Sequence, residues 1–220
     1  MLSQTTPAPD KDMQRTTDYQ QWSDWMDQHI WPQIQTMMFH DALFKLLDYA
    51  RKLTGGFNGP IGWLIDVEYV VYQLTTIRKQ CDSRRDVISL RRLLKEAKAK
   101  GLAPKIIDEL SLKLNRCDHV CYMVNNYVAH TADPLRRPNL SQWDLQIVQV
   151  TEAQKAVCEV AVTLDRDLLQ RKTPGAIIPV PQQNDIVQEF TSWVPQDRIQ
   201  KLRDYWHTHR RTVNAWLHQS

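Results

Sequence analysis

Glycine is scarce in this chain. Only 6 of its 220 residues are glycine, and segments with the alternating pattern of a strand are few. Loops that cradle nucleotide phosphates need glycines at fixed spacing directly after a strand. The adjacent pair Gly55 and Gly56 has neither that spacing nor a strand before it. Nucleotide binding through a P-loop or a Rossmann turn is therefore excluded, and the composition favours helices.

Long apolar runs are also missing. No segment approaches the roughly 18 apolar residues that a membrane-spanning helix needs. Residues 1–17 are polar and lack the apolar stretch of an export signal. None of the 4 cysteines lies in a C-x-x-C pair, and without an export signal they are expected to be reduced thiols. We predict a cytoplasmic protein that does not contact a membrane.

The residues that are present form the mixture typical of a globular protein. Apolar residues make up 42% and charged residues 24% of the chain, which argues against disorder. A length of 220 residues suits one domain, or one domain with a C-terminal extension. The net charge of +3 allows contact with nucleic acid, although a dedicated non-specific binder would be more basic.

Apolar residues recur at spacings of three and four along most of the chain. This pattern predicts an all-α fold, an up-and-down helical bundle. Residues 1–17 are expected to be a disordered tail, and residues 18–172 are expected to be the bundle. Residues 173–184 are rich in proline, which predicts a stiff linker. Residues 185–220 are predicted to form a C-terminal helical extension that packs on the bundle or on another chain.

The first part of the chain predicts two long helices. One runs from about residue 19 to residue 53, with a kink or break at Pro32, because proline removes a backbone donor. The other runs from about residue 61 to residue 79. It carries an apolar stripe on one face and aromatic side chains on the far side, so we predict that it packs on more than one side. The stripe is formed by Leu64, Val67, Val71, Leu74 and Ile77 or Arg78, and the aromatic side chains are Trp63, Tyr69 and Tyr72.

Three residues predict the boundaries of the helices that follow. Ser89 suits the N-cap of a short helix, and Gly101 suits the position just after its end. Pro104 fits the first turn of the next helix, because the N–H groups of a first turn have no partner within the helix and proline loses no hydrogen bond there. That helix is expected to continue to residues 125–130.

Residues 125–130, Asn-Asn-Tyr-Val-Ala-His, place two carboxamides and an imidazole at the end of a predicted helix. Asn126 and His130 are four positions apart and therefore share a helix face. One interpretation is structural, with the amides bonded to neighbouring backbone. The other is a site in which His130 transfers protons near neutral pH while the amides hold phosphate oxygens. RNA supplies its own nucleophile, the 2′-hydroxyl, so such a site needs no metal or cofactor.

Two cysteines and a histidine lie just before this stretch. On a helix Cys117 and Cys121 share a face, while His119 points nearly the opposite way. Zinc requires ligands that converge on one point. We therefore predict buried thiols and no metal site.

A basic cluster lies near the C-terminus, at His207, His209, Arg210 and Arg211. It is interpreted as a solvated helix face whose positive charge favours the end of the helix dipole. Phosphate binding is the alternative interpretation of the same residues.

Residues 125–130 resemble the motif of the HEPN superfamily, in its bacterial abortive-infection-like branch. That motif begins with an arginine, usually continues with a polar residue, and ends with a histidine near the end of a bundle helix. Asn126 matches the polar position and His130 matches the histidine. A second match is formed by residues 77–82, Ile-Arg-Lys-Gln-Cys-Asp, and residues 88–94, Ile-Ser-Leu-Arg-Arg-Leu-Leu. The resemblance covers about residues 35–170.

The resemblance implies a compact bundle that forms a homodimer and brings two motifs together across a cleft. Many members are metal-independent endoribonucleases of toxin–antitoxin, abortive-infection or other phage-defence systems, and others bind RNA or protein partners without catalysis. It implies that His130 is the general base or acid, that Asn126 holds the phosphate or orients the histidine, and that Asn125 is a weakened phosphate contact. An antitoxin or another defence-system protein is the implied partner.

The position of the motif arginine is occupied by Asn125. Asparagine has neither the permanent charge nor the planar fork with which arginine binds phosphate. Arg116, Arg136, Arg137 or an arginine from a second subunit are the candidates to replace it.

Two functions remain open from the sequence. In one, the protein belongs to a bacterial defence or toxin-like system and is directed to RNA, with an endoribonuclease site that is active or degenerate. In the other, it is a non-catalytic homodimeric interaction module in which Asn126 and His130 are structural.

Overall fold

The computed structural model describes residues 11–56, 58–128, 146–171 and 186–218. These residues form an all-α helical bundle and contain no strand, which confirms the predicted fold class. In chain order the α-helices of the described segments are α1 (Lys11–Trp25), α2 (Trp31–Thr54), α3 (Pro60–Gln80), α4 (Leu90–Ala99), α5 (Pro104–Leu114), α6 (Asp118–Met123), α7 (Ile147–Thr163) and α8 (Gln196–His218). Turns of π-helix occur at Met26–Ile30, Val124–Val128 and Leu164–Leu168, and turns of 3₁₀-helix at Asn115–Cys117 and Ile186–Phe190.

The first predicted helix is divided by a π-helical turn. Pro32 lies in the first turn of α2, where its missing N–H costs little, and Met26–Ile30 carries the chain from α1 into α2. At the other end, α1 begins at Lys11. Residues 11–17, which the sequence predicted to be disordered, are therefore helical.

The predicted helix boundaries in the middle of the chain are confirmed. The Ser89 hydroxyl accepts a hydrogen bond from the backbone N–H of Arg92 at 3.1 Å and caps α4. Gly101 follows α4 with a φ of 74°, a left-handed conformation that suits glycine. Pro104 opens α5. The run to residue 128 is not one helix, however, because a 3₁₀ turn separates α5 from α6.

The main core lies between α1, α2, α3, α4, α5 and α7. It is built from large apolar side chains with almost no solvent exposure, among them Trp22, Ile34, Leu93, Leu114 and Val157. Burying one such side chain stabilises the fold by about 1.5–3 kcal/mol. No helix of the described segments is both long enough and apolar enough to cross a lipid bilayer.

The C-terminal helix packs on the bundle. A second apolar cluster joins Leu46 and Ala50 of α2 to Val187, Leu202 and Trp206 of the C-terminal segment. α8 also contacts α7, and Val213 reaches the main core. The predicted linker at residues 173–184 lies outside the described residues.

The predicted apolar stripe of α3 is only partly buried. Leu64 is 52% exposed, and Val67 and Val71 are also exposed, while Leu74 and Ile77 further along the helix are buried. The first part of the stripe, Leu64, Val67 and Val71, is therefore a solvent-facing apolar surface. A helix that is apolar all round is normally buried all round.

Candidate functional site

The predicted site begins at the end of α6, where the chain enters the π-helical turn Val124–Val128. The two asparagines of this turn have different surroundings. Asn125 is exposed, whereas Asn126 is only 4% exposed. The turn therefore presents Asn125 to solvent and holds Asn126 against the bundle.

Asn126 makes a local hydrogen bond. Its Nδ2 donates to the backbone carbonyl of Tyr122, four residues earlier, at 2.6 Å. A side-chain amide that satisfies a helix carbonyl stabilises the end of the helix. In the described arrangement the Asn126 amide is therefore engaged within its own helix.

Asn125 is held by an arginine from α3. The Nε of Arg78 donates to Oδ1 of Asn125 at 2.6 Å, across 47 residues of sequence. The same guanidinium lies 3.5 Å, at Nη1, from Oδ2 of Asp82. The fold therefore places a permanent positive charge beside Asn125.

The other predicted site residues do not join this pair in the described chain. His130, Arg136 and Arg137 lie outside the described residues. Arg116 is exposed on the turn Asn115–Cys117, and no hydrogen bond or ion pair of the described residues joins it to either asparagine. Within the described segments, no group of three or more His, Cys, Asp or Glu side chains could hold a metal ion.

A second polar cluster lies inside the bundle and centres on Asp41, which has no exposed surface. The Tyr69 hydroxyl donates to Oδ1 of Asp41 at 2.6 Å, and Nε2 of Gln154 donates to the same oxygen at 3.1 Å. Nζ of Lys45 lies 2.9 Å from Oδ2. A buried carboxyl group is tolerated only with such partners.

Two glutamines extend the cluster across three helices. Nε2 of Gln154 lies 2.9 Å from Oε1 of Gln73, and Nε2 of Gln73 donates to the backbone carbonyl of Met37 at 3.1 Å. These bonds connect α2, α3 and α7. Since substrates cannot reach fully buried side chains, we interpret the cluster as a structural network that fixes how the helices pack.

His209 of α8 faces this network. Its Nε2 lies 3.8 Å from Oδ2 of Asp41, and the side chain is mostly buried. Burial and the nearby Lys45 charge lower the pKa of His209, and Asp41 opposes this shift. The predicted basic patch is therefore not one solvated face, because His209 points inward while His207 is exposed.

A groove of about 430 Å³ runs between α2 and α3. Two stacked ring pairs bridge these helices beside it: Phe44 with Tyr69, whose centroids are 3.7 Å apart, and His40 with Tyr72, at 4.2 Å. Leu64, from the exposed stripe of α3, also lines the groove. The groove and the stripe therefore form one continuous apolar surface.

Sequence reasoning missed the contact between Arg78 and Asn125 and also missed the Asp41 network. The sequence analysis included Arg78 in residues 77–82, the second match of the resemblance, but did not predict its contact with Asn125. Asp41 interrupts an apolar stripe, but the residues near it in the sequence do not predict that Tyr69 and Gln154 are its partners.

No protein-family model, no curated protein and no solved structure matches this chain. The HEPN resemblance therefore stays a prediction that rests on residues 77–94 and 125–130.

Proposed function

We propose that this protein is directed to RNA and contacts it at the end of α6. The observation that carries the proposal is the 2.6 Å hydrogen bond between Arg78 and Asn125. It supplies, from another helix, the cation that the HEPN-like motif lacks. The bacterial defence setting and an antitoxin-like partner are supported by the resemblance alone.

Arg78 is suited to phosphate. Arginine has five N–H donors in a planar fork, so the bonds to Asn125 and Asp82 leave donors for a phosphate oxygen. The Arg78 side chain is 36% exposed, and Asn125 is exposed beside it. In this proposal Asn125 orients the guanidinium, a role different from the weakened phosphate contact that the resemblance implies.

The reaction would be a transesterification within the RNA chain, in which the phosphate moves from the 5′-oxygen to the 2′-oxygen. His130 removes the proton of the 2′-hydroxyl, and the 2′-oxygen attacks the adjacent phosphorus as the bond from phosphorus to the 5′-oxygen breaks. A water molecule supplies the proton that the leaving 5′-oxygen takes up. Arg78 stabilises the charge that develops on the phosphate oxygens. The products are a 2′,3′-cyclic phosphate end and a 5′-hydroxyl end.

The test of binding compares Arg78→Ala with Lys79→Ala, which removes one charge from the adjacent, exposed position. Affinity for a labelled single-stranded RNA is measured by fluorescence anisotropy at low salt. Loss of a charged hydrogen bond to phosphate predicts ~10- to 100-fold weaker binding for Arg78→Ala. Equal losses in the two variants would show that Arg78 has no special role.

Cleavage is tested on mixed cellular RNA with EDTA present, using wild-type protein and His130→Ala. Products with 2′,3′-cyclic ends from the wild type alone support the endoribonuclease. RNA binding without cleavage by either protein would limit the function to RNA binding. If the wild-type protein neither binds nor cleaves RNA, the RNA proposal is overturned.

A second function is favoured by the exposed face of α3. In it, the protein is a non-catalytic homodimeric interaction module. Trp63 is 67% exposed and Leu64 52%, next to Val67 and Val71 on the same helix. A contiguous apolar surface of this kind marks interaction sites on soluble proteins. Packing against a second copy would bury the one apolar face of α3 that its own bundle leaves in solvent.

The oligomeric state tests this second function. Sedimentation equilibrium is run on the wild type, on Leu64→Ser with Val67→Ser, and on Leu112→Ser, which changes a 71% exposed leucine elsewhere. A homodimer through α3 predicts that the double variant becomes monomeric while Leu112→Ser stays dimeric. A monomeric wild type, or a dimer that survives the double change, would rule out this interface.

A further inference from the structure

One face of α6 and of the turn after it carries three exposed side chains in succession. Asp118, Tyr122 and Asn125 are four and three positions apart, so they lie one above another on the same side of the helix. The opposite side is buried in the bundle at Val120 and Val124. The packing of α6 therefore fixes which face reaches solvent.

An arginine from another helix bonds each end of this exposed face. Arg78 of α3 donates to Asn125 at one end. At the other end, Nη2 of Arg91 in α4 donates to Oδ1 of Asp118 at 3.4 Å. The two ends are separated by about two turns, or about 10 Å along the helix. The two arginines therefore flank Tyr122, which lies between them.

The ring of Tyr122 is available to a ligand. Tyr122 is 48% exposed, and within the described segments its ring contacts no other aromatic ring. Other tyrosines of these segments each face a second ring, namely Tyr19, Tyr49, Tyr69, Tyr72 and Tyr205. The backbone of Tyr122 is held in place, because its carbonyl accepts the 2.6 Å hydrogen bond from Asn126. The position of this tyrosine is thus fixed while its ring stays open to solvent.

The surroundings of this face are positively charged. Residues 78–95 contain 7 lysines and arginines but only 2 aspartates. Each flanking arginine has one acidic neighbour, Asp82 for Arg78 and Asp118 for Arg91. A guanidinium has five N–H donors, so both arginines keep donors for a phosphate oxygen. Both side chains also reach solvent, with exposed fractions of 36% for Arg78 and 30% for Arg91.

We propose that Tyr122 is a base-stacking residue and that the site takes single-stranded RNA. One base lies on the Tyr122 ring, while phosphates on either side of that base contact Arg78 and Arg91. Proteins bind single strands by this combination of a cationic track for the backbone and aromatic rings for the bases. Duplex RNA is recognised by its shape and backbone instead, because its bases are stacked on one another. The inference rests on the RNA-directed function proposed above and adds the class of RNA.

The experiment separates stacking from phosphate contacts. Fluorescence anisotropy measures the affinity of the full-length protein for a labelled single-stranded RNA and for an abasic ribose-phosphate strand of the same length. Tyr122→Ala should bind the RNA ~5- to 100-fold more weakly and the abasic strand as the wild type does, because only the stacked base is lost. Tyr122→Phe keeps the ring and should bind the RNA normally. Leu112→Ala, at a 71% exposed position of α5, is the control for loss of an exposed apolar side chain.

Salt dependence gives a second readout that a merely structural role would not produce. Arg78→Ala and Arg91→Ala should each reduce the slope of log affinity against log salt by about 0.7, because each loses one phosphate contact. Tyr122→Ala should keep the wild-type slope despite its weaker binding. The wild type should also prefer the single strand to a duplex of the same sequence, and Tyr122→Ala should reduce that preference.

The possible failures are distinguishable. If Arg78→Ala weakens RNA binding and Tyr122→Ala does not, the stacking role is overturned while the proposed RNA function stands. Equal weakening of RNA and abasic-strand binding by Tyr122→Ala would also overturn the stacking role, since it would show a change in structure. A wild type that binds no RNA would overturn both proposals.

Discussion

At the scale of single residues, Asn125 and Asp41 have polar partners in very different surroundings. Asn125 is bonded to Arg78, and the contact lies at the surface. Asp41 is bonded to Tyr69 and Gln154 and has no exposed surface. Burial and the nearby Asp41 raise the pKa of Tyr69, so its hydroxyl stays protonated and donates. The exposed Arg78–Asn125 contact is therefore suited to binding a ligand, whereas the buried Asp41 network is suited to holding the helices together.

The first prediction concerns the pH dependence of stability through His209. Its pKa is lowered in the folded protein, because burial and Lys45 disfavour the imidazolium. The unfolded chain therefore binds a proton more readily than the folded protein does. The contribution of neutral His209 to the free energy of unfolding is complete above the ordinary pKa of about 6.5. It is lost as the pH falls through that value towards the lowered pKa.

Urea unfolding at pH 7.5 and at pH 5.5 measures this effect. The wild type should lose more stability between the two pH values than His209→Gln, which does not titrate in this range. The exposed His207→Gln is the matched control and should keep the wild-type difference. A wild type and a His209→Gln variant with the same pH dependence would contradict the prediction.

At the scale of elements, local sequence signals set the helix boundaries. Ser89, Gly101 and Pro104 each act within one turn of their own position, through a side-chain cap, a left-handed φ or a missing N–H. The orientation of α3 about its axis, in contrast, was not set by local sequence signals. Both of its faces are apolar, so periodicity alone did not determine which one enters the core.

The second prediction concerns the N-cap of α4. Ser89→Ala removes the hydroxyl that accepts from the N–H of Arg92, and the same hydroxyl donates to the backbone carbonyl of Asp82. Loss of such a cap costs about 1 kcal/mol, and the partly buried Asp82 carbonyl left without its donor increases the cost. The free energy of unfolding is measured in urea, with the exposed Ser83→Ala as control. Equal stability of the two variants would show that the cap contributes nothing.

At the scale of the whole molecule, the C-terminal segment is part of the bundle. Trp206 of α8 is nearly buried and packs in one cluster with Leu46 and Ala50 of α2. The inward-facing His209 adds a polar contact to the same side of α8. The segment that the proline-rich sequence separates from the bundle is therefore joined to it by packing.

The third prediction tests this packing. Trp206→Ala should destabilise the protein by about 3–5 kcal/mol, because it removes a large buried side chain and leaves a cavity. The exposed Lys201→Ala on the same helix should have little effect. Thermal unfolding gives the size of the loss, and limited proteolysis shows whether α8 is released first. A loss below that of Lys201→Ala would contradict the proposed docking of α8.

The sequence by itself determined the all-α class, most helix boundaries and the place of the polar turn that contains Asn125 and Asn126, because these depend on interactions within a few residues. Tertiary structure alone decided that Arg78 meets Asn125 and that Asp41 meets Gln154. These pairs lie far apart in sequence, and which helices bring them together depends on how every apolar face is buried. Spacing along one helix does not contain that information.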